Sequence, residues 1–82
     1  MQYVFTAHAR KRMQERSITE DIVQDALKYP TKVAENDGML LFKKLYRRRN
    51  SERLLLVVGE MWADDKIKII TVIDTSKVRK YL

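Results

Sequence analysis

The sequence predicts one α+β domain spanning residues 1–82, with two N-terminal helices packed on a four-stranded antiparallel sheet. Three observations predict it. Up to Pro30 the apolar residues recur at helical spacing, with no Gly or Pro among them. After Pro30 the chain becomes a series of segments rich in Val, Ile, Leu and aromatic residues. Short polar stretches join those segments, which favours strands that are neighbours in sequence and in space.

Each element has a local cause. Thr6 stands at an N-cap position before AHARKRMQER, a run of strong helix formers, and predicts a first helix from 6 to 16. Arg16-Ser17-Ile18 is a short link. Thr19 is a second N-cap, and Glu20 and Asp21 complement the helix dipole in the first turn. Ile22, Val23, Ala26 and Leu27 form the apolar stripe of this helix, which Pro30 ends. Packing of the two helices predicts burial of Ala9, Met13, Ile18, Ile22, Ala26 and Leu27.

The strand candidates are 31–36, 39–47, 52–60 and 66–74, separated by Asn36-Asp37-Gly38, Arg49-Asn50-Ser51 and Ala63-Asp64-Asp65. In the last strand, strict alternation puts Ile67, Ile69, Thr71 and Ile73 on one face, and Lys66, Lys68, Ile70, Val72 and Asp74 on the other. Ser76 to Leu82 is compatible with a short terminal helix carrying Lys77, Arg79 and Lys80.

Composition narrows the function classes. Of 82 residues, 17 are Lys or Arg and 11 are Asp or Glu, a net charge of +6 that favours polyanionic partners, RNA among them. Cysteine is absent, which removes disulfides, thiolate metal sites and thiol nucleophiles, and fits a reducing compartment. No apolar run is long enough for a membrane span, and MQYVFTAHARKRM runs from apolar to basic, unlike a signal peptide, so the expectation is a soluble cytoplasmic protein. No Gly-rich phosphate loop is present, and Asp37, Asp64 and Asp65 with one histidine match no metal-binding spacing, so neither a cofactor nor a metal site is expected. Trp62 suits packing of its hairpin or an interface anchor. Oligomeric state has no signature in the sequence.

His8, Arg12 and Arg16 are spaced by four and stack along one side of the first helix, with Lys11 and Glu15 beside them and Arg10 flanking. Like charges at this spacing cost about 0.2–0.5 kcal/mol per pair, so phosphates or carboxylates must offset them. One reading is a solvated face paired with Glu20, Asp21 or Asp25; the other is an RNA-binding face. His8 is the single side chain whose ordinary pKa, about 6.5, lies near neutrality, and its neutral imidazole could take a proton from a ribose 2′-hydroxyl. Arg12 and Arg16 would then hold the scissile phosphate. Otherwise His8 packs near the helix start.

Lys43, Lys44, Arg47, Arg48 and Arg49, interleaved with Phe42 and Tyr46, place cations and aromatic faces in the middle hairpin, and Arg53 begins the next strand. Such a patch suits RNA, whose phosphates meet cations and whose unpaired bases stack. It equally suits a charged edge that deters aggregation.

The segment from Phe5 to Ile18 resembles the opening of a small bacterial family of uncharacterised domains. Its pattern is His-Ala, two variable residues, Arg-Met, one variable residue, then Glu-Arg-Gly-Ile, met here by His8-Ala9, Arg12-Met13, Glu15-Arg16 and Ile18. The acidic helix ending at Pro30 and the Ile-Ile-Thr-Val of residues 69–72 extend the resemblance over most of the chain. That family is grouped with RelE-like toxins and the barnase, EndoU, colicin and RelE ribonuclease fold. The resemblance implies a toxin-like endoribonuclease working without metal, with His8, Arg12, Arg16 and Thr71 as catalytic residues and an acidic antitoxin as partner. Thr71 also reads as an ordinary β-branched core residue. A non-catalytic RNA-binding or protein-interaction module is the alternative. Ser17 departs from the pattern's Gly, where a non-Gly residue in left-handed conformation costs about 1–2 kcal/mol.

Overall fold

In the computed structural model, which describes residues 1–82, the chain opens not with a helix but with a strand, β1 (Gln2–Phe5). There follow α1 (Ala7–Glu15), α2 (Glu20–Lys28), β2 (Lys32–Asn36), β3 (Met39–Arg48), β4 (Ser51–Ala63), β5 (Lys66–Thr75) and a short α3 (Val78–Tyr81). The sheet has five strands in the order β1-β5-β4-β3-β2, and β1 runs parallel to β5. This corrects the expected four-stranded antiparallel sheet with two N-terminal helices. The fold is a mixed sheet with three short helices, and just over half of the residues lie in strands. The four residues of β1 are too few to display a period of two, yet Tyr3 and Phe5 lie beside Ile67 and Ile69 and pack on the same core. A parallel pair needs a long crossover, and everything from α1 to β4 supplies it.

β2 to β5 form a meander whose tight turns follow their residues. Asp37 and Gly38 have φ of 51° and 82°, and Arg49 and Asn50 have φ of 52° and 65°, the left-handed pairs that match the twist of flanking strands. Helices α1 and α2 cover one face of the sheet. Thr6 Oγ1 accepts the Ala9 amide at 3.0 Å as N-cap of α1, and Thr19 Oγ1 caps α2 through the Ile22 amide. Ala9, Met13, Ile18, Val23, Ala26 and Leu27 are buried against Phe42, Leu55, Val57, Ile67, Ile69 and Val72. Ile22 is half-buried.

The alternation expected along β5 is broken. Thr71 pairs with Val58, but the next pair is Ile69 with Gly59, so Ile70 is the extra residue of a bulge. Ile67, Ile69, Val72 and Asp74 therefore face the helices, while Thr71 and Ile73 face away with Val58 and Leu56. Gly59 is required at this place: a Cβ there would lie 2.7 Å from Ile67 Cγ2. On the far face Leu54 and Leu56 are buried, and α3 packs against β4. No helix is long and apolar enough to cross a membrane.

Candidate nucleic-acid interface

Burial of Ala9 and Met13 fixes how α1 is rolled, and leaves His8, Arg12 and Arg16 on its exposed side. Thr6 also donates its hydroxyl to the Ile70 carbonyl at 3.1 Å, so the start of α1 is tied to the bulge of β5. His8 shares a shallow concavity of about 140 Å³ with Lys11, Arg12 and Glu15. Arg12 pairs with Glu15 at 3.8 Å on the solvent side. Arg12 and Arg16 together wall a groove of about 240 Å³ whose other side is Thr71–Asp74 of β5. Arg16 continues into a cleft of about 400 Å³, lined by Glu15, Ser17, Arg48, Arg49, Ser51, Arg53 and Asp74, with no apolar residue. These three hollows share Arg12 or Arg16 and form one basic track along α1.

Asp74 organises the far end of the track. Its side chain is 8% exposed, accepts the Tyr46 hydroxyl at 2.7 Å, and accepts the Arg53 Nε–H on both oxygens at 2.8 and 3.0 Å. Arg48 stands 3.6 Å from the same carboxylate. Burial by itself raises the Asp74 pKa, but the hydrogen bonds from Arg53 and Tyr46 and the two positive charges outweigh it and hold the carboxyl below its ordinary value. The same contact pushes Arg53 up, and burial followed by the bond to Asp74 raises Tyr46. Asp74 is thus a fixed anion and not a proton carrier near neutral pH. Arg48 also donates through Nη2 to the carbonyls of Arg16 at 2.8 Å and Ser17 at 3.0 Å. It satisfies the free carbonyls where α1 ends and Ser17 turns left-handed, with φ of 55°.

The basic residues of the middle hairpin do not form one patch. β3 pairs with β4 without a shift, so Lys44, Tyr46, Arg48 and Arg53 face the helices, whereas Lys43 and Arg47 face the other way. Lys44 is also occupied: it donates to the Tyr29 carbonyl at 2.6 Å and pairs with Asp25 at 3.6 Å, closing the end of α2. Arg10 pairs with Glu20 at 3.6 Å and lies over the Phe5 ring, on another side of α1 from the track. Arg49 reaches the cleft from the turn. Thr71 reaches the groove from the edge of β5, although by register it belongs to the far face. Trp62 is the extra residue of a second bulge, exposed between Lys66 and Lys68 at the opposite end of the sheet. No group of three His, Asp or Glu side chains converges as a metal site.

Sequence reasoning missed Asp74, the member that sets the geometry. Its signal was a lone carboxylate directly after the run Ile70-Thr71-Val72-Ile73 and still within the strand candidate 66–74, because a charge held in a strand of that character needs partners.

Residues 5–80 match the family described as Domain of unknown function (DUF4258). The chain belongs to this family. The match covers the whole track, from the Phe5 that precedes α1 to the end of β5 and beyond. Neither the curated proteins nor the solved structures offer a match to set beside it.

Proposed function

We propose that this DUF4258 domain is an RNA-cleaving enzyme of toxin type, whose basic track holds the phosphates and whose His8 moves the proton. The observation that carries the reading is the continuity of the track, in which neighbouring hollows share Arg16 and then Arg12 and end at His8. Arg16 lies eight positions after His8, about 12 Å of helix, which is room for more than one phosphate. The resemblance of His8-Ala9, Arg12-Met13 and Glu15-Arg16 to the family grouped with RelE-like ribonucleases supports the same reading.

The chemistry needs no group beyond this chain and RNA. Neutral His8 accepts the proton of a ribose 2′-hydroxyl, and the oxygen attacks the adjacent phosphorus. The new P–O2′ bond replaces the P–O5′ bond, giving a 2′,3′-cyclic phosphate. The departing O5′ takes up a proton from the imidazolium or from water. Arg12, with Arg16 behind it, offsets the charge gathering on the phosphoryl oxygens. In this reading an acidic antitoxin would neutralise the same surface, and cellular RNA as substrate would have the enzyme act in the cytoplasm.

The test is cleavage of labelled RNA, with and without ribosomes, in excess EDTA, by the wild type and by His8→Ala. The expected result is EDTA-resistant cleavage that falls about 10²–10⁴-fold in the variant while RNA affinity is retained. Equal cleavage by both proteins removes His8 from the mechanism. A second reading, a non-catalytic RNA-binding module, is favoured by one observation: His8 sits exposed on a helix surface with no hydrogen-bond partner to orient it. A folded wild type that binds RNA and cleaves none of it decides for that reading.

A further inference from the structure

The outer edge of β5 is paired for only part of its length. β1 covers Lys66–Ile69, and Thr6 adds its amide to the Ile69 carbonyl and its hydroxyl to the Ile70 carbonyl before the chain turns into α1. From Thr71 to Thr75, β5 has β4 on one side and no strand on the other. Five residues amount to about 16 Å of open edge.

Folded proteins protect such edges with charges, proline, brevity or a cover. The other outer strand, β2, follows this rule: it starts just after Pro30 and carries Lys32 and Glu35. The open part of β5 does not. Thr-Val-Ile-Asp-Thr is strongly strand-forming, Ile73 is 45% exposed, and its one charge, Asp74, is turned inward and consumed by arginines. What stands beside this edge is the pair Arg12 and Arg16, which wall the groove of about 240 Å³ along Thr71–Asp74.

We propose that Thr71–Thr75 is a docking edge for an extended acidic segment of a partner protein. The segment adds as a further strand on β5, its backbone pairing with the open edge and its carboxylates meeting Arg12 and Arg16. Charge selects this occupant. A second copy of the chain would bring its own Arg12 and Arg16 to the same seam and be repelled. RNA would satisfy the arginines but has no ladder of N–H and C=O groups for the strand. The inference deepens the acidic-partner part of the reading above, by naming the edge and the mode of docking, and does not rest on RNA cleavage; both use Arg12 and Arg16, so an occupied edge shuts RNA out of the groove.

The probe is a labelled Val-Glu-Val-Glu-Val-Glu peptide, with two controls: the same peptide with alternate backbone amides methylated, and its lysine counterpart. Binding is read by anisotropy and amide exchange by NMR on the full chain. The expected result is slowed exchange confined to the amides of Thr71–Thr75 that point away from β4, no binding by either control, and about tenfold weaker binding for Arg16→Ala, the loss of one charge-assisted hydrogen bond. Equal binding of the methylated peptide would mean attraction by charge alone and would overturn the proposal, as would unchanged exchange at Thr71–Thr75 in saturating peptide. RNA cleavage is measured separately, so failure of either reading leaves the other intact.

Discussion

Arg53 donates one N–H to both oxygens of Asp74, at 2.8 and 3.0 Å, and through this contact the sheet holds the one carboxylate of the chain that is not exposed to solvent. Arg48 extends the contact to the carbonyls of Arg16 and Ser17, so the end of α1 rests on a charge pair in the sheet. Replacing Asp74 by Asn leaves Arg48 and Arg53 facing each other without a counter-charge. The expected cost is about 2 kcal/mol, taken from charged hydrogen bonds and reduced for the partial exposure of both arginines. Urea unfolding of the variant at neutral pH measures it.

The same pair sets an acid limb. Because Asp74 titrates below its unfolded value of roughly 3.9, its stabilisation is fully present above that pH and drains away as pH falls toward the lower folded value. The wild type should lose stability more steeply than Asp74→Asn below about pH 4. Parallel acid curves for the two proteins would remove Asp74 as the source.

RNA binding should report which cations belong to the track. Arg16→Ala and Arg49→Ala each lower the slope of log K against log salt by about 1, since each loses a phosphate contact. Arg10→Ala and Lys44→Ala leave the slope unchanged, because Glu20 and Asp25 already hold those side chains. Titration of a labelled single-stranded RNA at several salt concentrations separates the two groups.

Ser17 holds φ of 55°, a conformation that costs an L-residue about 1–2 kcal/mol. Ser17→Gly removes that strain but enlarges the freedom of the unfolded chain, a net gain of about 0.5–1 kcal/mol. A melting temperature raised by about 4 °C is the expected reading.

At Gly59 the sign reverses. A methyl group there meets Ile67 Cγ2 at 2.7 Å on the crowded inner side of the bulge. Gly59→Ala should cost about 1–3 kcal/mol by overpacking. The double variant with Ile67→Ala should cost less than the two single changes added, because the second opens the space the first requires. Simple additivity would place the strain elsewhere.

Much of the architecture was written locally. Thr6 and Thr19 start their helices, Pro30 ends α2, and Asp37-Gly38 and Arg49-Asn50 make the turns, because each depends on neighbours within a few residues. What escaped was non-local. β1 is recognisable as a strand only through Ile67 and Ile69, more than sixty residues away. The bulge at Ile70 is invisible in a smooth apolar run, and it alone moves Val72 and Asp74 to the helix face and Thr71 to the other. The ladder His8, Arg12, Arg16 was legible from spacing. The splitting of Lys43 and Arg47 from Lys44 and Arg48 follows from a period of two, but which face meets the helices depends on the packed core.

The tie between Thr6 and Ile70 spans 64 positions of sequence. During synthesis, α1 has no floor until β5 emerges, because β5 is the strand on which α1 packs. The helix with its arginines therefore stays unmoored until β5 arrives, and only then does the basic track close. A nascent chain halted before Ile70 carries all three residues of the ladder but only one wall of the groove, so the site comes into being with the last strand of the sheet and not with the helix that bears its charges.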